Sequence, residues 1–133
     1  MNPKTRKVDE SKGSSAVATG ASANNAAAAL ARAVSLHLEG KRREALQELK
    51  VAISNGGDSA ELFSAIGHIQ FELEQYEDAA KSYTKLLSMD PKHAAGNFNI
   101  AVCFEKLGRW NEAADRFKRL LRGFIRAYRP APA

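Results

Sequence analysis

Residues 60–91, AELFSAIGHIQFELEQYEDAAKSYTKLLSMDP, hold two helical patterns separated by a short turn. Leu62, Phe63, Ile66, Ile69 and Leu73 recur at the three- and four-residue spacing of one helix face. Ala79, Ala80, Tyr83, Leu86 and Leu87 do the same in the second half. Asp58 or Ser59 is placed to cap the first helix. Asp90-Pro91 ends the second, because proline disfavours helical geometry in the residue before it. The stretch therefore predicts an antiparallel helix hairpin, with helices over about 60–73 and 76–88.

The hairpin recurs on both sides. Ala45, Ala79 and Ala113 stand at a fixed interval, each inside the phrase Glu44-Ala45-Leu46, Asp78-Ala79-Ala80 or Glu112-Ala113-Ala114. Four residues beyond each alanine come Leu49, Tyr83 and Phe117. A constant period of this length marks a chain built from copies of one supersecondary unit. Upstream, an alanine-rich helix through Leu36 and Leu38 ends at Gly40, and a second runs from about Arg42 to Ser54. Downstream, helices are expected from about His93 to Leu107 and from about Asn111 onward. No segment reads as a strand.

These residues resemble the tetratricopeptide repeat over about residues 26–127. In the middle copy Phe63, Ile66 and Gly67 occupy the aromatic-x-x-Leu-Gly slots of the first helix. Ala79, Tyr83 and Pro91 occupy the Ala, aromatic and Pro slots of the second, and Gln70 stands where the family favours Tyr. The third copy fits at Ile100, Ala101, Phe104, Ala113 and Phe117, with Asn97 replacing the aromatic and Ile125 the Pro. The first copy has Ala29, Arg32 and Ala33 in place of Trp, Leu and Gly, yet keeps Leu36, Ala45 and Leu49. The resemblance implies an all-α fold, a right-handed superhelix of three antiparallel helix hairpins. Its repeats would be 26–59, 60–93 and 94–127 of a domain over 25–128. Small residues at Gly67 and Ala101 and at the three repeated alanines let partner helices approach. Phe63, Tyr83, Phe104 and Phe117 fill the space between hairpins, each burial contributing about 1.5–3 kcal/mol.

Composition agrees with a soluble interaction domain. The chain has 133 residues, enough for a thin core, and one cysteine, Cys103, which rules out a disulfide framework. Residues 1–24 are rich in Ser, Ala, Gly and Asn without aromatic residues, and are expected to be a disordered arm. Residues 129–133 are expected to be a short disordered tail. No apolar run follows the basic residues near the start, and none reaches the length of a membrane span, so a cytoplasmic location is expected. The formal net charge of +5 is concentrated at the end, where Arg116, Lys118, Arg119, Arg122, Arg126 and Arg129 face only Asp115.

By resemblance, the first helices line a concave groove for a peptide or a partner's helix. The corresponding residues are Leu30, Val34 and His37, then Glu61, Ser64, His68 and Phe71, then Ala95, Phe98, Asn99, Val102 and Glu105. Phe71 and Phe98 are the natural aromatic anchors. Phe71 is assigned to the groove because Leu73, Ile66 and Ile69 already supply the core. Phe98 is divided between groove and core. Some family members clamp the terminal carboxylate of chaperone tails with Lys, Asn, Asn, Lys and Arg. The matching positions here are Leu30, Val34, Ala65, Ala95 and Asn99, which offer no cation, so binding by that clamp is not expected.

Catalytic signatures are missing: there is no glycine-rich phosphate loop, no His-Glu-x-x-His helix and no nucleophile–base pair fixed by spacing. His37, His68 and Glu72 are a poor match to a closed tetrahedral metal site and read as polar groove lining. His93 reads as solvated, Cys103 as a buried small apolar residue, and Glu72, Glu74, Glu77 and Asp78 as a surface turn. No cofactor or metal is expected, and the chain reads as a non-enzyme. On the last helix Phe117, Leu120, Leu121, Phe124, Ile125 and Tyr128 form one apolar stripe. Phe117, Leu120 and Leu121 are expected to pack on the last hairpin. Phe124, Ile125 and Tyr128 are left for a second copy or another protein.

The reading is thus a scaffold for an unidentified protein or peptide. Its alternatives are an oligomerising or regulatory domain of a larger protein, or a small secretion-type chaperone. Nucleic-acid or membrane-surface binding through the basic end ranks below these.

Overall fold

The computed structural model describes residues 25–128, so the arm expected over 1–24 and the tail expected over 129–133 lie outside the described residues. Among the described residues every regular element is an α-helix. In chain order they are α1 (25–38), α2 (Arg42–Ser54), α3 (Ala60–Glu72), α4 (Tyr76–Met89), α5 (Ala94–Lys106) and α6 (Trp110–Tyr128). They form three antiparallel hairpins. The chain divides into two compact units between Asp58 and Ser59.

The repeat is written into the backbone at the hairpin turns. Gly40, Glu74 and Gly108 all have positive φ, at 81°, 62° and 74°. At each turn the following N–H reaches back to Leu36, Gln70 or Phe104, each bond 2.8 Å long. The left-handed residue itself donates to His37, Phe71 or Glu105 at 3.0 Å. This pair of bonds satisfies carbonyls that would otherwise be orphaned at the helix end. Glycine takes that conformation freely, whereas Glu74 holds it at a steric cost.

In the first unit, α1 buries Ala29 and Ala33, while α2 buries Ala45, Leu46, Leu49 and Ala52. The small side chains permit a short interhelical distance, and Arg32 Nε donates to Glu48 Oε2 at 3.0 Å to tie α1 to α2.

In the second unit, α4 packs on both α3 and α5, and α6 packs on α5. The core joins Ala79, Ala80, Tyr83 and Leu86 of α4 with Ile100, Cys103 and Phe104 of α5 and Ala113 of α6. Phe63, Phe71, Leu87 and Phe117 pack against this cluster while remaining half-buried. Gln70, at the slot where the resemblance favours Tyr, is buried and accepts a 2.6 Å bond from the Ser82 hydroxyl. That bond removes the desolvation cost of a buried amide oxygen.

Two caps start the first helices of this unit. Ser59 Oγ accepts from the Leu62 N–H at 3.2 Å. His93 Nδ1 accepts from the Gly96 N–H at 2.9 Å, so His93 is a half-buried helix cap and not a solvated residue. Sequence reading gave it no partner because histidine is not among the usual capping residues. Asn97 reinforces the turn, donating from Nδ2 to the carbonyls of Pro91 and His93 at 3.0 Å each.

Leu121 also departs from expectation. It was expected to pack on the last hairpin, but it is 58% exposed. The cause is facing: helical spacing sets Leu121 on the flank of the line through Ala113, Phe117 and Leu120 that is covered. Beyond it α6, with 19 residues against 13 in α5, overhangs by about 9 Å. Among the described residues no helix is long and apolar enough to cross a membrane.

Candidate binding surfaces

Within the second unit, the buried side chains of α3 (Leu62, Ile66, Ile69 and Gln70) share one face. Helical spacing puts Glu61, Ser64, His68 and Phe71 on the opposite side. In α5, Ile100, Ala101, Cys103 and Phe104 face inward, and Phe98, Asn99, Val102 and Glu105 are turned away. Glu61, His68, Phe98 and Glu105 are exposed, and Ser64, Phe71, Asn99 and Val102 half-buried. In the first unit Leu30 and His37 are half-buried and Val34 is 55% exposed.

Tyr83 links the two helices from beneath. Its ring is 1% exposed and lies so close to α3 that a Cβ on Gly67 would sit 3.0 Å from Cε1 and Cζ. On the other side it shares the core cluster with Ile100, Cys103 and Phe104 of α5. Burial first, and the nearby Cys103 second, push the Tyr83 phenol up to about 12, with the Asn99 side chain opposing. Burial alone pushes the Cys103 thiol up to about 11. Both groups are protonated at neutral pH. Cys103 is therefore a packed apolar residue and not a reactive thiolate. On the upper side, His68 Nε2 pairs with Glu72 Oε1 one turn along α3. Phe71 meets Tyr76 edge-on, with centroids 5.3 Å apart.

The acidic turn is only partly the solvated loop that the sequence suggests. Glu77 lies 3.7 Å from Arg109, which binds Glu112 through two nitrogens at 2.8 and 3.0 Å. The same guanidinium stands 4.9 Å above the Phe104 ring. Arg109 thus closes one end of the α5–α6 core by a cation–π contact.

At the other end, the overhang of α6 exposes Phe124, Ile125 and Tyr128, at 60%, 57% and 72%. Phe124 and Tyr128 stack with centroids 4.5 Å apart. Phe98 belongs to this end: it is 53% exposed and meets Phe117 edge-on at 5.9 Å. An open, mostly apolar cleft of about 1070 Å³ lies there between the end of α4, the start of α5 and the second half of α6. Sequence reading found Phe124 but not the cleft, because neither Leu87 nor Pro91 signals that α6 passes beside it.

Comparison with known proteins adds a family profile and three solved structures. The profile of the tetratricopeptide repeat matches residues 64–132. The second such domain of Spaghetti (RPAP3), bound to the HSP90 peptide SRMEEVD, superposes with a TM-score of 0.69 at 24% identity, covering 77% of this chain and 96% of that one. The second domain of human RPAP3 in complex with the HSP70 peptide SGPTIEEVD gives 0.70 at 23%, covering 75% and 83%. The crystal structure of MamA gives 0.70 at 21%, covering 81% and 60%. No curated protein matches the sequence significantly. At these identities the structural likeness concerns the fold.

Proposed function

Because the chain belongs to the tetratricopeptide-repeat family, we propose that it is a non-enzymatic scaffold that holds a peptide or helix of a partner protein on the outer faces of α3 and α5. The observation that carries this reading is the Tyr83 linkage. One buried ring packs under Gly67 of α3 and shares a core cluster with Ile100, Cys103 and Phe104 of α5, so both helices hold their outer residues in place before any partner arrives. A preformed surface avoids much of the ordering cost of association. Phe71 offers apolar area, and Ser64, His68 and Glu105 offer polar contacts around it.

The test uses the full chain as bait beside a His68→Ala/Val102→Glu variant with an unchanged melting curve. Both positions lie outside the buried core. Partners held by the groove should fall by about tenfold or more in the variant, equivalent to one lost anchor. Equal recovery from both baits would contradict the proposal.

The RPAP3 domains are bound to chaperone peptides. This chain is expected to differ, because Ala65, Ala95 and Asn99 provide no cation for a terminal carboxylate. Fluorescence anisotropy with labelled SRMEEVD should show no saturable binding at micromolar protein. Micromolar binding lost in an Asn99→Ala variant would contradict this.

A further inference from the structure

We propose that the cleft beside α6 is a second docking site, separate from the α3–α5 face, and that it takes an acidic amphipathic helix of a partner protein. Its walls are apolar: Leu87, Pro91, Phe98, Phe117, Leu120 and Phe124. Its charged lining residues are Lys92, Arg116 and Arg119, and no Asp or Glu lines it. Arg119 pairs with Asp115 at 3.1 Å, an exposed contact worth little. Arg116 has only a 3.5 Å bond to the Asn97 side-chain oxygen, and among the described residues no carboxylate lies within ion-pair distance of Arg116 or Lys92. Cations at the edge of an apolar cleft select a partner with carboxylates flanking its own apolar stripe.

The shape selects a helix. From Phe117 to Tyr128 the stripe on α6 runs about 16 Å, three helical turns, which is the span of a partner helix and exceeds that of a small metabolite. Phe117, Leu121, Phe124 and Tyr128 repeat at the spacing by which one helix receives the side chains of another. Here the exposed rings of Phe124 and Tyr128 would be covered by the docked helix.

Charge also argues against a second copy as occupant. Its α6 would bring Arg116, Lys118, Arg119, Arg122 and Arg126 against the same cations, with Asp115 the one α6 carboxylate past the first turn. Like charges brought together across an interface oppose association.

The probe is a labelled peptide of about sixteen residues, with leucines along one helical face and glutamates on the other. Its twin carries lysines in place of the glutamates. Anisotropy titrations use the full chain, Phe124→Ser, Lys92→Glu/Arg116→Glu, and the groove variant His68→Ala/Val102→Glu. Phe124 is exposed, so Phe124→Ser should keep the parental melting curve. The glutamate peptide should bind the parent about tenfold or more tightly than the lysine twin, and weaken in high salt. Phe124→Ser and the charge-reversed variant should each weaken it by about tenfold, and the groove variant should leave it unchanged. Equal affinity for the two peptides, insensitivity to Phe124→Ser, or loss in the groove variant would overturn the proposal. So would dimerisation abolished by Phe124→Ser without peptide binding, which would assign the cleft to a second copy. Binding to phosphatidylserine vesicles without peptide binding would overturn it in favour of a membrane surface.

Discussion

Replacing Gly67 by leucine should lower stability by about 3 kcal/mol, the upper part of the range for overpacking a filled core. Even the first added carbon would stand 3.0 Å from two atoms of the Tyr83 ring and 3.2 Å from a third. The ring cannot retreat, since it is 1% exposed within the core cluster of α4, α5 and α6. For a unit of this size the melting temperature should fall by more than about 10 °C. Gly123→Ala is the control of opposite sign. A Cβ there meets nothing within 4 Å, so the helix gains up to about 1 kcal/mol of propensity. An unchanged melt for Gly67→Leu would place α4 further from α3 than the structure does.

Leu86→Ala should cost about 2–5 kcal/mol, the range for emptying a packed leucine site. Leu86 is fully buried in the cluster that includes Tyr83, Ile100, Cys103 and Phe104, so the cavity would open where α4 meets α5. A second measurement makes this specific. A Cβ on Gly96 would come within 2.8 Å of Leu86 Cδ2, so Gly96→Ala should destabilise the parent. With Leu86 truncated that clash is gone, and Gly96→Ala should recover part of the loss. The two substitutions must therefore be non-additive. Additive losses in thermal or urea unfolding would refute the contact. Phe124→Ala, at a side chain 60% exposed, should change stability by about 0.5 kcal/mol or less.

The sequence revealed the parts of the fold that depend on local periodicity. The recurrence of Ala45, Ala79 and Ala113 located three second helices, and all three alanines are buried. Gly67 was legible as a close-approach residue because helix contacts need small side chains at fixed spacing. Tertiary details were less visible. His93 becomes a cap only when its ring turns back on the first turn of α5, a geometry that spacing does not specify. Glu74 takes the left-handed slot that glycine fills in the other two hairpins, so residue type alone hides the equivalence. Leu121 reads as core because the stripe on α6 is continuous, yet it stands on the flank of the line through Ala113, Phe117 and Leu120 that is covered. Phe98 and Phe71 look interchangeable as aromatic anchors. Phe71 packs on Tyr76, and Phe98 sits at the α6 cleft, a distinction set by neighbours far along the chain.

Site-specific photo-crosslinking most directly tests the central claim, that a partner protein binds across the outer faces of α3 and α5. A photoreactive residue at His68 or Glu105 samples that surface, and one at Lys81 on α4, also exposed, serves as the reference. The account predicts the same partner adduct from His68 and Glu105 and little or none from Lys81. Adducts from Lys81 that equal or exceed those from His68 and Glu105 would contradict it.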